Sequence, residues 1–369
     1  MVIAINARFL NKPVQDEISI FLLNTWLQIA AAQTDHRFLL ISDRPFPLSA
    51  PLPDNVEPLI AGPVCKNCFL DRWWQRFTLP GLLKKEKASL YFSTDGMACM
   101  HTTIPQYLLL SGTGYLQQPE LHTANTRRYA RQLLPQFLKK TKKVITLSDS
   151  EKEILQAQYH LDPSRVTAIK PFINHSFTRL DYARKKQVKE TYTDGCEYFF
   201  YSGSFAAGNN LLNLLKAFSK FKKRQQSNWK LVIAVDDHNT TFLHQLGSYK
   251  HKDDVVLIQD APPEVLPGLT AAAYAFVLPV KYDGTGIRVL QAMQCGVPVI
   301  TGNHSTLRAL APEAALYVNP ESIDDIAQQL MLLYKDEHFC KKLTEKAAVF
   351  AGSYHNPGAA GELWQTVAQ

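Results

Sequence analysis

The chain of 369 residues carries 40 Lys and Arg against 33 Asp and Glu, a formal net charge of +7, with 46% hydrophobic and 20% charged residues. At roughly 150 residues per domain this length implies two domains, or three small ones. Its ordinary hydrophobic fraction, with 17 Gly and 21 Pro spread along the chain, excludes disorder, collagen-like repeats and low-complexity scaffolds. A charge excess this small favours anionic ligands or membrane surfaces without implying nucleic acid.

The N-terminus opens on Met1-Val2-Ile3-Ala4-Ile5, without the basic region and apolar core of a signal peptide. The longest uncharged stretches, Ile18–Thr34 and Val265–Val280, fall short of the ~20 apolar residues that a membrane span needs. A cytoplasmic protein is the expectation. Apolar β-rich runs then follow at Val2–Ile5, Phe38–Ile41, Leu90–Phe92, Tyr107–Leu110, Val144–Leu147 and Val166–Ile169, separated by helix-like stretches such as Ile20–Ala32 and Arg127–Leu138. The Pro-rich segment holding Pro51, Pro53, Pro58 and Pro63 reads as a loop. Continuous apolar strands alternating with helices predict a doubly wound parallel sheet.

After the charged segment Arg179–Glu190 the pattern restarts, with runs at Tyr198–Tyr201, Leu231–Val235, Val255–Ile258, Ala275–Leu278, Val297–Ile300 and Ala315–Val318. The expected fold class is therefore α/β, two Rossmann-like domains facing across a cleft. Residues 1–172 would form an N-terminal Rossmann-like domain and 173–350 a C-terminal one. Residues 351–369 would form a C-terminal helix packing back toward the first. In such sheets ligands bind outside the carboxyl ends of the strands. Of the six cysteines only Cys65 and Cys68 have metal-ligand spacing, with Cys99 and His101 the nearest further ligands and no second close pair. Reduced structural thiols are expected there, and no metal.

The most informative stretch is Leu278–Ile300, L-P-V-K-Y-D-G-T-G-I-R-V-L-Q-A-M-Q-C-G-V-P-V-I. A strand ends near Pro279, a loop with Gly284 and Gly286 follows, a helix runs from about Ile287 to Cys295, and Gly296 ends it with Pro298 beyond. Glycines that admit a ligand to the backbone, a helix N-terminus with unpaired N–H groups and Arg288 in the first turn together suit a phosphate.

This stretch resembles the donor motif of the group 1 (family 4) retaining glycosyltransferases of GT-B fold, in which a Glu, seven residues and a second Glu precede A-M-x-x-G-x-P-V-I. Ala292, Met293, Gly296, Pro298, Val299 and Ile300 agree with it. Further agreement covers nearly the whole chain: Ile3–Leu10, Ile145-Thr146-Leu147-Ser148, Tyr201-Ser202-Gly203 with Asn210-Leu211, and Ala314–Pro320.

The resemblance implies transfer of a sugar from a nucleotide diphosphate donor to a saccharide or lipid-linked glycan, with retention and without a metal or other cofactor, residues 1–172 being the acceptor side and 173–350 the nucleotide-sugar side. It assigns Asp283 to the sugar as the catalytic-site acid, Gln291 to the ribose, and Gly284, Thr285, Gly286 and Arg288 to the diphosphate. Gly203 begins the loop in which the family's phosphate-gripping Arg and Lys fall on Ser204 and Asn209. Lys281 and Arg288 are the cations expected to compensate.

The family's glycine-rich turn after the first strand is replaced by Gln15-Asp16-Glu17-Ile18-Ser19, where acidic residues are expected to open the next helix. Its His-Asp pair falls on Ser111-Gly112, and His101 is either a structural histidine or a cleft residue. The substitutions at Glu17, Ser19, Ser111, Gly112, Ser204, Asn209 and Gln291 keep open an alternative, a non-catalytic homologue acting as a sugar-binding or partner subunit. Lysines 84, 85 and 87, and the basic residues of 127–143 interleaved with Tyr129, Leu133, Leu134, Phe137 and Leu138, suggest either a solvated helix face or peripheral contact with an anionic inner membrane. Trp73-Trp74, flanked by Arg72 and Arg76, reads either as core or as a sugar- or lipid-stacking pair.

Overall fold

The computed structural model describes the chain apart from residues 12–15, 49–50, 174–175, 236–238, 304–307, 309–310, 355 and 369 and the side chains of Cys68, Ala207 and Ser353. Two compact units form, one from Met1–Pro171 with Asn356–Gln369 and the other from Phe172–His355.

In the first unit seven parallel strands, β1 (Val2–Asn6), β2 (Arg37–Ser42), β3 (Val56–Ile60), β4 (Leu90–Ser93), β5 (Gln106–Leu109), β6 (Lys143–Thr146) and β7 (Val166–Ala168), run in the order β3-β2-β1-β4-β5-β6-β7. Every residue of β4 and β5 is buried, the condition that makes such strands read as unbroken apolar runs. Six of the seven match predicted runs. β3 does not: its prolines suggested a loop. It lies at the sheet edge, where Pro58, opposite Leu40, removes no bond that a further strand would need.

The helix Glu17–Ala32 opens on Asp16, whose carboxylate accepts from Ser19 N at 2.8 Å. The two acids of this stretch therefore stand at the end of the helix that favours them; Gln15 lies outside the described residues. Phe21, Leu22, Trp26 and Ile29 bury one face, with the Trp26 ring 4.9 Å from Phe92 in an edge-on contact. The helix Ala359–Val367 packs against Glu17–Ala32, and Trp364 lies 5.1 Å from the His36 ring. The expected boundary at 350 falls inside the helix Glu337–Tyr354, which continues the second unit.

Two helical stretches of this unit share a device. Cys68–Trp73, Trp74–Thr78 and Leu79–Lys85 follow one another, as do Ala124–Arg128, Tyr129–Leu133 and Leu134–Lys140, the middle piece of each being a π turn. Each π turn precedes a Leu-Pro pair, Leu79-Pro80 and Leu134-Pro135. A proline inside a helix has no N–H and clashes with the carbonyl four residues back, and the wider turn accommodates both defects. Leu79, Leu83, Leu134 and Leu138 then bury, and the lysine pairs 84–85 and 139–140 end both helices.

The second unit holds six parallel strands, β8 (Tyr198–Gly203), β9 (Lys230–Val235), β10 (Val255–Gln259), β11 (Ala275–Leu278), β12 (Val299–Gly302) and β13 (Leu316–Val318), ordered β10-β9-β8-β11-β12-β13. All six correspond to predicted runs. Phe199 and Phe200 of β8 share a buried core with Phe218 and Phe221 of the helix Leu211–Gln225. Among the described residues, no helix is long and apolar enough to cross a membrane.

Candidate functional site

Each sheet reverses its strand order once, between β1 and β4 and between β8 and β11. Loops leaving the carboxyl ends of such neighbours diverge and leave a crevice. In the second unit those loops are Ser204–Asn209, after β8, and Pro279–Gly286, after β11. They are tied together by main chain, with Lys281 N donating to Gly208 O at 2.8 Å. Asn210, held at φ 60°, donates its Nδ2 to Pro279 O at 3.3 Å and also to Pro320 O, joining the segment after β13 to the same corner. Seven of the predicted site positions, Ser204, Asn209, Lys281, Asp283, Gly284, Thr285 and Gly286, therefore lie on adjoining loops, with Gly203 at the end of β8.

The helix Ile287–Gln294 starts directly behind this corner, with Gly286 as its N-cap at φ 63° and no side-chain cap. Its first amides are not idle. Asp283 Oδ1 accepts from Thr285 N at 3.1 Å and Gly286 N at 3.0 Å, and Thr285 Oγ1 accepts from Ile287 N at 3.4 Å. Of the N–H groups expected to be unpaired at this helix N-terminus, that of Ile287 therefore already has an acceptor. The short Asp side chain reaches back two and three residues and sets one carboxylate oxygen where converging amides hold an anionic oxygen. Gly284, Thr285 and Gly286 are buried, while Asp283 and Arg288 are half-buried.

The other predicted positions are equally specific. The Lys281 ammonium forms an ion pair with Glu321, whose carboxyl is held below its ordinary range by that contact, so the lysine charge is already matched. Asn209 Nδ2 donates to Ser204 Oγ at 2.8 Å and Ser204 O at 3.1 Å, and Tyr201 Oη donates to the same carbonyl at 2.9 Å. These two positions brace the loop. Gln291, one turn into the helix, is 4% exposed, and among the described residues its side-chain amide forms no hydrogen bond. A buried amide in that state has capacity for an outside partner.

Gly296 closes the helix. Its N–H donates to Met293 O at 3.0 Å and Val297 N to Ala292 O at 3.1 Å, the paired bonds of a left-handed C-terminal cap at φ 71°. A β-carbon at this position would stand 2.6 Å from Arg179 Nε.

In the first unit the strand ends around β1 and β4 carry a polar cluster that sequence spacing did not show. Arg8 lies 2.6 Å from Asp71, 3.5 Å from Asp43 and 3.6 Å from Asp95. Burial pushes the Asp95 carboxyl up, against Arg8, Ser93, Met97 and Asn6, which pull it down. Ser111-Gly112, the place of the family's His-Asp pair, sits over a buried carboxylate: Glu151 accepts from Gly112 N at 2.5 Å, Thr113 N at 3.2 Å and Leu147 N at 3.2 Å. His101 is exposed. Burial raises the Cys65 thiol to about 11, the Cys68 side chain is outside the described residues, and among those described no group of three or more His, Cys, Asp or Glu converges to hold a metal.

Residues 183–350 match the family model of the glycosyl transferases group 1. Over 239 residues the chain is 25% identical to O-antigen chain mannosyltransferase B of Escherichia coli, a match covering 64% of this chain and 63% of that protein. The chain spans less than two-thirds of the length of the curated relatives it matches first. Among solved structures, WaaG, a glycosyltransferase involved in lipopolysaccharide biosynthesis, aligns with a TM-score of 0.81 at 14% identity over 100% of both chains. Anabaena HepE, solved in complex with UDP and glucose, aligns with a TM-score of 0.75 at 13% identity over 100% of this chain and 99% of its own. The two parallel sheets are those of the GT-B fold.

Proposed function

Since residues 183–350 belong to the group 1 glycosyl transferases, we propose that this chain is a hexosyltransferase. It takes a sugar from a nucleotide diphosphate donor and passes it, with retention of configuration, to a saccharide or lipid-linked glycan. The observation that carries this reading is the carboxylate oxygen of Asp283 between the amides of Thr285 and Gly286, at 3.1 and 3.0 Å. A loop that holds one anionic oxygen at the switch point of its sheet is built to hold another, and a donor diphosphate supplies it. Arg288 adds the cation, Gln291 offers its open hydrogen-bonding capacity to the ribose, and Asp283, once displaced, is the acid beside the sugar.

Transfer then rests on positioning and on charge stabilisation of the leaving diphosphate by these amides and Arg288, with no metal or other cofactor in the scheme. The likeness to an O-antigen chain mannosyltransferase supports a polysaccharide acceptor, and the UDP and glucose bound by HepE support a nucleotide-sugar donor. The scheme places the protein in the cytoplasm, and the basic residues of the first unit support work at the inner face of an anionic membrane.

The test is calorimetric titration with UDP, GDP and their sugars on the wild type and on Arg288→Ala. Binding of one nucleotide, weakened roughly 10- to 100-fold by the substitution, is the expected result for loss of a charged contact. No binding by any of them would defeat the reading. Two observations favour a second reading, a non-catalytic sugar-binding or partner subunit: Asp283 occupies the amides and Glu321 engages Lys281. Donor hydrolysis followed over hours separates the two, since a binding subunit leaves the donor intact.

A further inference from the structure

The basic stretch that the sequence offers for membrane contact, 127–143, spends most of its apolar side on the core. Leu134 and Leu138 are buried and Tyr129 and Phe137 pack against them. A different stretch carries the exposed apolar surface. Phe69, Trp73 and Phe77 recur every four residues along Cys68–Trp73 and Trp74–Thr78, and are 74%, 43% and 55% exposed. Among the described residues no other Phe or Trp is exposed to this degree.

The opposite side of the same helical run is fixed to the unit. Trp74 is fully buried, donates its Nε1 to Ala61 O at 2.7 Å and lies 5.0 Å beneath the Arg8 guanidinium. Asp71 holds Arg8 at 2.6 Å. The helix therefore cannot roll to hide its outer rings. The rings of Trp73 and Phe77 stand 5.5 Å apart, and the Arg76 guanidinium sits 5.6 Å over Phe77. Within Val64–Thr78 the exposed charges are Lys66, Arg72 and Arg76, all positive, because the one acid of the segment, Asp71, is turned inward to Arg8.

A ridge of aromatic rings flanked by cations matches the boundary between headgroups and acyl chains of an anionic bilayer: the rings enter the interface and the cations meet the phosphates. We propose that Val64–Thr78 is the membrane-docking surface of this protein and that its partner is an anionic lipid bilayer. The proposal deepens the lipid-linked acceptor reading and rests on it for its purpose.

The test is sedimentation of the full chain with vesicles of phosphatidylcholine, pure or mixed with roughly a third phosphatidylglycerol, at low and high salt. Wild-type protein should bind the mixed vesicles, and bind them less at high salt. The variant Phe69→Ser/Trp73→Ser/Phe77→Ser should lose at least about tenfold in partition coefficient. Trp73 emission should shift to the blue on adding mixed vesicles, a change missing from Trp73→Phe. An absence of binding by the wild type, equal binding by the triple variant, or no Trp73 shift overturns the proposal. Vesicle-independent self-association of the wild type that the triple variant loses also overturns it, by assigning the ridge to a second copy of the chain. UDP titration of the same proteins keeps the two readings apart. The ridge variants should bind UDP as the wild type does, and a wild type that binds vesicles but no nucleotide defeats only the donor assignment.

Discussion

Replacing Asp283 by Asn should tighten the binding of free UDP. In the structure the carboxylate occupies the amides of Thr285 and Gly286 at 3.1 and 3.0 Å. A diphosphate oxygen entering that place must displace it and leave the carboxylate close by. Two like charges about 5 Å apart at an effective dielectric of about 20 repel by about 3 kcal/mol, and solvent at this half-buried loop reduces that to about half. The neutral Asn oxygen still competes for the amides, more weakly than a carboxylate. The net expectation is a gain near 1.4 kcal/mol, about tenfold in Kd, shrinking as salt is raised. Asp283→Glu keeps the charge on a longer stem less suited to bonding amides two and three residues on, so it should gain less. Transfer should fall in both variants, because the acid beside the sugar is removed or misplaced. Calorimetry at two ionic strengths reads the binding, and an Asp283→Asn protein whose UDP affinity is unchanged or weaker refutes the idea that the carboxylate holds the diphosphate position.

Two further outcomes concern stability. Lys222, 7% exposed, lies 3.0 Å from Asp254, which also pairs with Lys230 at 3.3 Å. Asp254→Asn leaves that buried ammonium on the carbonyls of Ser227 and Trp229 without a counter-charge and should cost about 3 kcal/mol in urea unfolding of the second unit. Burial works to raise the Asp254 carboxyl, but hydrogen bonds and charges from Lys222 and Lys230 outweigh it and lower its pKa below the ordinary 3.8. Its contribution is therefore complete above 3.8, the value of the unfolded chain, and is lost as pH falls through the lower folded value. Wild type and variant should converge on acidification, and a gap that widens contradicts the pairing. Gly296→Ala should cost at least about 1–2 kcal/mol for the left-handed backbone alone, with more from the contact at Arg179. Equal urea midpoints for wild type and variant would contradict the cap.

The fold was legible because both sheets are buried on both faces, which turns twelve of thirteen strands into runs such as Leu231–Val235 that carry no other meaning. The exception, Val56–Ile60, has the pattern of an edge, with three of its residues exposed and a proline allowed. The π turns escaped notice because nothing local marks them except a proline several residues later. At the site, backbone roles were readable: the loop at Gly284–Gly286, the helix behind it and its stop at Gly296. Side-chain partners were not. Lys281 meets Glu321, 40 residues on, and Glu151 reaches Gly112, 39 residues back. Such pairs are set by the neighbours each strand end acquires in the sheet.

The main-chain character of the corner around Gly208, Lys281, Thr285 and Gly286 has an evolutionary consequence. A grip made of peptide N–H groups is not encoded by any one side chain, so substitution cannot erase it while the loop keeps its path. Under the donor reading proposed above, side-chain changes around this corner would retune nucleotide and sugar preference one at a time, and only a proline at 285 or 286 would remove one of the converging N–H groups outright.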